Sequence, residues 1–230
     1  GVTGELAGLF VLFQPRSFFV LEQAWTEPLV LATFAVSLLL ALRPAKRVPD
    51  WLALGLALGA LAASKQYSPL LIPPLFTAIP APLRLRAAIS ALLLLAAVTL
   101  PFAGWDPQGF WRGVAWMQVV QPFRKDSLSL LALYARRAGV PAWAPFPAFA
   151  ATALVLAVAL RRRASAAQVI SAAAASWLVF VLLGKQAFCN YYWLGAALAC
   201  GAAAAQAAEP PEAEAPRRPG AHPGLDPTGE

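Results

Sequence analysis

Long apolar runs, separated by short polar segments, make up most of this chain. The runs cover residues 28–42, 87–102, 146–160, 167–183 and 191–207. A helix needs about 20 apolar residues to cross a bilayer, or a few fewer when charged residues at its ends reach the headgroups. The pattern therefore predicts an all-α protein, a polytopic bundle with five transmembrane helices. Residues 5–13 are expected to be the end of one more.

The apolar segment 51–79 is interrupted at its centre by polar residues, from Ser64 to Ser68. As one helix this segment would be far longer than a bilayer requires. We predict two short helices that meet at Lys65 and form a hairpin. The alternative is a single span that starts at Trp51, buries Lys65 and is kinked at Pro69.

Basic residues cluster at the ends of the apolar runs and predict the topology. The clusters are Arg43 with Lys46 and Arg47, Arg84 with Arg86, and Arg161 to Arg163. Such clusters usually stay in the cytoplasm, so an even number of spans must separate them. Only the hairpin supplies two spans between the first cluster and the second. The remaining connections, 14–27, 64–68, 104–145 and 184–190, are then expected to face outward.

The connection 104–145 is long enough to carry structure of its own. We predict two helices in it, both lying in the outer interface, over residues 108–121 and 127–138. The second has a serine N-cap at Ser127, arginines in its last turn and a stop at Gly139. Residues 208–230 are rich in Pro, Glu, Gly and Ala and are predicted to be a disordered cytoplasmic tail, which leaves 1–207 as the membrane domain.

Composition supports the membrane interpretation. Sixty percent of the residues are apolar and 13% are charged, which excludes a soluble domain and a disordered chain. The net charge of +7 would suit a nucleic acid. However, the cations lie where they anchor helices at anionic leaflets, so the predicted partner is the lipid bilayer and no nucleic acid. Alanine, arginine and proline usage is typical of GC-rich bacteria, and we expect a multi-pass protein of the bacterial inner (plasma) membrane.

Cysteine and histidine give no sign of a metal centre. Cys189 and Cys200 fall in one predicted helix, roughly 16 Å apart along its axis, which is too far for a disulfide. His222 is the one histidine, so no zinc pattern is present. No metal and no cofactor are predicted, although a divalent metal stays open.

Polar residues of the outward connections form the candidate site. Charged and polar residues within apolar segments are costly and usually functional. Lysine and arginine are suited to phosphate, Gln, Asn and Tyr to sugar hydroxyls, and a carboxylate could deprotonate an acceptor. The predicted phosphate-binding residues are Lys65, Arg124, Lys125 and Lys185. The residues assigned to the sugar or the acceptor are Glu22, Gln23, Glu27, Gln66, Tyr67, Asp126, Gln186, Asn190 and Tyr191.

Each of these residues also fits a plainer role. Lys65 and Lys185 could extend to lipid headgroups, and Tyr191 could be an interfacial aromatic. Glu27 before Pro28 could begin a helix. The turn around Arg124 could simply be solvated, so it is the joint position of these residues on one side that favours a site.

Three short segments resemble a known family. They are RSFFVLEQAWTEP at 16–28, SKQYSPLLIP at 64–73 and GKQAFCNYYW at 184–193. These segments are similar to the later helices of GT-C type integral-membrane glycosyltransferases. Within that family the chain resembles bacterial mannosyltransferase-like proteins that use polyprenyl-phosphate sugars. The likeness covers about residues 10–203 and depends on segment order and short motifs.

The resemblance implies a multispan helical fold with its site at the outer membrane face. It also implies transfer of a sugar, with mannose as the first candidate, from a polyprenyl-phosphate donor to a glycan or glycolipid acceptor. The family's catalytic aspartate lies in the first outer loop, which is expected upstream of residue 1. No catalytic residue is therefore assigned here, and this C-terminal part alone could be inactive.

Two other functions stay open. A secondary transporter would hold its substrate near the bilayer midplane, on broken helices of inverted repeats. The Lys-Gln pairs at 65–66 and 185–186 are predicted on the same side, which an inverted repeat would not give. A non-catalytic polytopic protein, such as a scaffold or a lipid-carrier accessory, is the third possibility.

Overall fold

The computed structural model describes residues 1–43, 48–121, 124, 126–139, 146–161 and 165–209. Within these residues the chain forms helices and turns and no strand, which confirms the all-α prediction. The α-helices are α1 Val2–Phe13, α2 Pro15–Glu22, α3 Glu27–Leu42, α4 Val48–Ser64, α5 Ile72–Ala78, α6 Ala81–Trp105, α7 Pro107–Trp111, α8 Met117–Val120, α9 Leu130–Ala138, α10 Phe146–Ala159, α11 Ala166–Leu183 and α12 Cys189–Ala208. A 3-10 turn, Ser68–Leu71, precedes α5, and a π-helical turn, Arg112–Trp116, joins α7 to α8.

Two of the described helices, α6 and α11, are long and apolar enough to cross a membrane. They mark the chain as a membrane protein. Helices also form in the other three predicted runs, as α3, α10 and α12. By length and composition these do not qualify as spans by themselves, so the expected number of five is not reached. α1 and α2 are bent by 53° and would count as a third span if taken together.

The hairpin predicted for residues 51–79 is confirmed by the packing of α4 against α6. A Cβ atom at Gly55 would meet Ser90, and one at Gly59 would meet Ala91 and Leu94. The later residue of α4, Gly59, contacts the later residues of α6, so the two helices run in the same direction. The chain must return between them, and the segment Ser68–Ala78 makes that return. A single kinked span is therefore wrong.

The turn of the hairpin is held by a buried hydroxyl. Ser68 is completely buried, and its hydroxyl donates to the backbone oxygens of Lys65, at 2.7 Å, and Leu61. Leu61 belongs to the last turn of α4 and Lys65 follows the helix directly, in the region where carbonyls lack helical partners of their own. The bonds close the end of α4 and leave the Lys65 side chain at the tip.

Helices α11 and α12 form an antiparallel pair at the centre of the core. The indole of Trp177 is almost fully buried and donates to the backbone oxygen of Tyr191 at 2.8 Å. Further along, Gly201 of α12 lies beside Ile170 of α11. The two helices meet at the turn 184–188, so this turn and the hairpin tip lie at the same end of the bundle.

The bundle therefore has two chemically different ends. We call the end with Lys65 and the turn 184–188 the polar end. The opposite end carries Arg84 and Arg161, which line one cavity, and we call it the arginine end. Arg43 follows α3, a helix that begins beside Lys65, so it also lies at the arginine end. Lys46, Arg47, Arg162 and Arg163 lie outside the described residues.

The segment 14–27, expected to be a connection, contains the helix α2. Gln14 adopts an extended conformation, with ψ of 145°, before Pro15. A residue before proline is disfavoured in the helical region, whereas proline itself suits the first turn of a helix. The sequence therefore ends α1 and starts α2 at the same point.

The two helices predicted in the connection 104–145 are present, with one correction. Residues 107–120 are helical throughout, and α9 ends at Ala138, directly before Gly139, whose φ is 82°. The N-cap of α9 is Ser129, which accepts from Ala132 N at 3.0 Å, and not Ser127 as predicted. Ser127 is buried instead, and its hydroxyl accepts from Ala187 N at 2.9 Å. This bond fixes the connection to the turn 184–188.

The predicted tail begins where α12 ends. The helix continues to Ala208, and the Glu209 carboxylate accepts from the backbone nitrogen of Ala167 at 3.3 Å. This carboxylate thus lies at the N-terminus of α11, where negative charge is favoured. The rest of the predicted tail, 210–230, lies outside the described residues.

Candidate functional site

A buried ion pair lies at the polar end. Glu27 occupies the first turn of α3 and is completely buried, and its Oε1 is paired with the Lys65 ammonium. The Lys65 side chain is 16% exposed, so it points into the bundle rather than out to headgroups. Glu27 Oε2 has no hydrogen-bond partner among the described residues. A buried charge is tolerated when an opposite charge neutralises it, and here each residue does this for the other.

Lys65 also contacts the start of α12. Its ammonium lies 4.5 Å from the centroid of the Tyr191 ring, within the range of a cation–π contact. Tyr191 in turn packs edge-on against Trp177, with 6.1 Å between ring centroids. The tip of the hairpin is thereby joined to the core of the α11–α12 pair.

A cavity of about 640 Å³ opens beside this pair, and we call it the Lys65 cavity. Its size is in the range of small-molecule sites. The residues that line it are Arg16, Phe19, Trp25, Lys65, Arg124, Asp126, Leu128, Phe188, Cys189, Asn190 and Tyr191. Five of the predicted site residues are among them, namely Lys65, Arg124, Asp126, Asn190 and Tyr191. Segments far apart in the sequence meet at this cavity.

The charged residues of the Lys65 cavity are mainly cationic. Three cations and one carboxylate belong to its described lining. Arg124 donates from Nε and Nη2 to the Asp126 carboxylate, at 3.1 and 2.7 Å, and about half of each side chain is exposed. The hydrogen bond from Arg124 lowers the pKa of Asp126 below its usual value. The Arg124 guanidinium also lies 4.7 Å from the centroid of the Phe188 ring.

Asn190 has hydrogen-bonding capacity that the described protein does not use. Its side chain is in the first turn of α12 and only 7% of the residue is exposed. Its Oδ1 has no hydrogen-bond partner among the described residues. Since buried polar groups are nearly always hydrogen-bonded, this atom requires a partner such as a water or a ligand hydroxyl.

A second cavity, of about 580 Å³, lies on the other side of Lys65 between α4 and α6. We call it the α4–α6 cavity. It is lined by Thr26, Ala62, Ala63, Ser64, Lys65, Gln66, Pro69, Leu95, Thr99, Phe110 and Val114. Most of these side chains are apolar or small, in contrast to the Lys65 cavity. Lys65 is thus common to a polar cavity and a mainly apolar one.

Gln66 and Tyr67 take part in a small polar network with a residue of α8. The Tyr67 hydroxyl donates to Gln118 Oε1 at 2.8 Å, and Gln118 Nε2 donates to Gln66 Oε1 at 3.2 Å. Burial raises the pKa of Tyr67, so this hydroxyl stays protonated. The network connects the hairpin tip to the helical segment 107–120.

The remaining predicted residues lie away from the Lys65 cavity. Glu22 and Gln23 are exposed at the end of α2. The Lys185 ammonium donates to the backbone oxygen of Val119 at 3.0 Å, and partial burial lowers the pKa of Lys185. Gln186, next to it, does not belong to the described lining of the cavity. Lys125 lies outside the described residues.

Several residues of the site were not predicted from the sequence. Arg16, Phe19, Phe188 and Cys189 line the Lys65 cavity and were not assigned to it. All four lie within the segments 16–28 and 184–193 that resemble the GT-C family, and this resemblance is the sequence feature that could have identified them. Gln118 gave no such signal, because its partners lie about fifty residues earlier in the chain.

The likeness to GT-C glycosyltransferases is carried by the three sequence segments alone. Comparisons with protein-family models, with curated proteins and with solved structures find no match to this chain.

Proposed function

We propose that this chain holds the phosphate of a polyprenyl-phosphate sugar at Lys65, as part of a GT-C type glycosyltransferase. One observation carries the proposal. Lys65 lies on both the polar Lys65 cavity and the more apolar α4–α6 cavity. A polyprenyl-phosphate sugar has the same order of groups, with a phosphate between a polar sugar and an apolar chain.

The charges suit a phosphate at this position. Lys65 offers a point charge, and Arg16 and Arg124 offer planar donor groups on the same cavity. Glu27 neutralises part of the Lys65 charge, but it also fixes the direction of the ammonium. With Lys65 paired to Glu27 and Arg124 paired to Asp126, the positive excess of the cavity comes from Arg16.

The prenyl chain and the sugar would occupy different cavities. Ala62, Leu95, Phe110 and Val114 give the α4–α6 cavity apolar walls for the chain. In the Lys65 cavity, aromatic walls and a few polar groups are the usual setting of a small-molecule ligand. The unpartnered Asn190 Oδ1 would accept a hydrogen bond from a sugar hydroxyl.

The proposed reaction is direct attack of an acceptor hydroxyl on the anomeric carbon of the sugar. The bond from that carbon to the phosphate oxygen breaks, and the phosphate leaves with the electron pair. Cations fixed around the phosphate stabilise this charge as it develops. Asp126 is a weak base because its pairing with Arg124 lowers its pKa. The acceptor proton is therefore assigned to no residue of this chain and passes to solvent water, which balances the step.

In this account the chain is a polytopic protein of the bacterial plasma membrane. The polar end faces outward, the arginine end faces the cytoplasm, and the acceptor is a glycan or glycolipid. The described members of the basic clusters support this orientation, since Arg43, Arg84 and Arg161 lie at the arginine end.

A secondary transporter is the second candidate, because ionisable residues buried among apolar helices often lie on transport pathways. Glu27 and Lys65 are such residues. Inverted repeats would place the two Lys-Gln pairs at opposite ends. Both lie at the polar end here, which favours the transferase.

Ligand selectivity tests the proposal. The purified chain in lipid nanodiscs is offered polyprenyl-phosphate mannose, polyprenyl phosphate and polyprenol of equal chain length. We expect the two phosphates to bind at least about tenfold more tightly than the alcohol, because they alone make charge-assisted bonds. Equal binding of all three would contradict a phosphate site.

A further inference from the structure

The arginine end carries a cavity that the proposed transfer does not use. Its volume is about 720 Å³, and it lies between α5, the start of α6 and the end of α10. Its described lining consists of Ile72, Pro73, Phe76, Thr77, Arg84, Leu160 and Arg161. The cavity therefore combines two guanidinium groups with mainly apolar walls, and its described lining includes no carboxylate.

One of the two arginines is held in place by the backbone. Arg84 Nε donates to the backbone oxygen of Ile79 at 2.9 Å, across the turn between α5 and α6. This bond uses one donor of the guanidinium and orients the rest of the group. Arg161 comes from a different part of the chain, just after α10. Two cations from separate elements thus converge on one cleft, as binding of a single anion requires.

The cleft continues into an apolar fissure. A neighbouring cavity of about 350 Å³ shares Thr77 and Leu160 with it. The fissure is lined by Pro74, Thr77, Val158, Ala159, Leu160, Gln168, Val169, Ser171 and Ala172. A cationic cleft that leads into an apolar fissure matches a molecule with an anionic head and a hydrocarbon chain.

We propose that this cleft is a binding site for an anionic phospholipid. The phosphate lies between Arg84 and Arg161, and one acyl chain enters the fissure between α5, α10 and α11. A free phosphate would use the arginines but not the fissure, so the site is assigned to a lipid. Basic pockets between membrane helices bind anionic headgroups for the same electrostatic reason. The site is separated from the Lys65 cavity by the length of α11, about 27 Å, and does not depend on the transferase proposal.

Native mass spectrometry of the full chain, with phosphatidylglycerol and phosphatidylcholine of identical acyl chains, tests the site. We expect phosphatidylglycerol to be retained preferentially by the wild type. Arg84→Gln and Arg161→Gln should each weaken its retention about fivefold, as expected for one lost cation. Arg84→Lys keeps the charge and should retain most of the binding, which separates loss of the site from loss of the fold.

Arg86→Gln is the matched control, because Arg86 is exposed on the same helix and does not line the cleft. It should retain phosphatidylglycerol like the wild type. If Arg84→Gln and Arg86→Gln lose phosphatidylglycerol equally, the lipid is held by the general positive charge of the surface, and the proposal is overturned. Displacement of the lipid by millimolar inorganic phosphate would also overturn it, since the site would then be one for a free anion.

Discussion

The carboxylate of Glu27, completely buried in the first turn of α3, is ion-paired with Lys65 just after α4. This pair joins two segments that are 38 residues apart in the chain. It also explains why Lys65 points inward to the two cavities instead of extending to lipid headgroups. The stability of the polar end and the position of its central cation therefore depend on the same contact.

Glu27→Gln is expected to destabilise the protein strongly. The change leaves the Lys65 ammonium in a largely buried position without its counter-charge, which costs about 3–5 kcal/mol. Glu22→Gln is the control, because Glu22 is an exposed carboxylate on the neighbouring helix α2. Unfolding in mixed detergent micelles measures both. Similar losses in the two variants would contradict a structural role for the pair.

Gly59→Ala should also be destabilising. The new Cβ would lie 2.7 Å from the backbone oxygen of Ala91, which cannot move away as a flexible side chain can. Overpacking of this kind costs about 1–3 kcal/mol, more than the roughly 0.5–1 kcal/mol that alanine gains over glycine in a helix. Gly8→Ala in α1 meets no atom within 4 Å and should be neutral or stabilising. If both substitutions behave alike in thermal unfolding, α4 and α6 do not pack as described.

The Arg124–Asp126 pair predicts a small pH dependence of stability. Since Arg124 lowers the pKa of Asp126, the folded protein binds a proton there less readily than the unfolded chain. The stabilisation is thus complete above the usual aspartate pKa of about 3.9 and is lost as the pH falls through the lowered value. Both side chains are exposed, so the effect is small. The difference in unfolding midpoint between wild type and Asp126→Asn should shrink from pH 6 to pH 3, and a constant difference would contradict the pairing.

Cysteine labelling tests the direction of the bundle across the membrane. In a background without the native cysteines, Gln66→Cys should react only from outside and Arg86→Cys only from the cytoplasm. Both residues are exposed, at the polar end and near the arginine end respectively. Arg86 lies in the second turn of α6, a helix whose 25 residues are enough to cross the membrane. Labelling of both positions from one side would contradict the proposed topology.

Helix positions and the hairpin could be predicted because they depend on local sequence. Apolar runs mark helices, and the basic clusters require the return between α4 and α6. Helix α2 is not predicted, because the polar residues of 14–27 favour a connection, although proline also starts helices.

Side-chain partners were less predictable than helices. The Lys65–Glu27 pair was not foreseen, although both residues had been assigned to the site. The direction of Lys185 depends on the backbone of Val119, which no local pattern reveals. Packing of distant segments decides such contacts. For this reason only some of the residues that line the Lys65 cavity can be predicted from the sequence.

Protection of Cys189 from a maleimide reagent tests the central claim most directly. Cys189 is a half-buried lining residue of the Lys65 cavity, and replacement of Cys200 by alanine leaves it as the single reactive thiol. Polyprenyl phosphate should slow the labelling about tenfold, and polyprenol should not. Protection should be lost in Arg124→Gln and kept in Arg137→Gln, which removes an exposed arginine of α9. Labelling that proceeds at the same rate with and without polyprenyl phosphate would contradict the placement of the phosphate in this cavity.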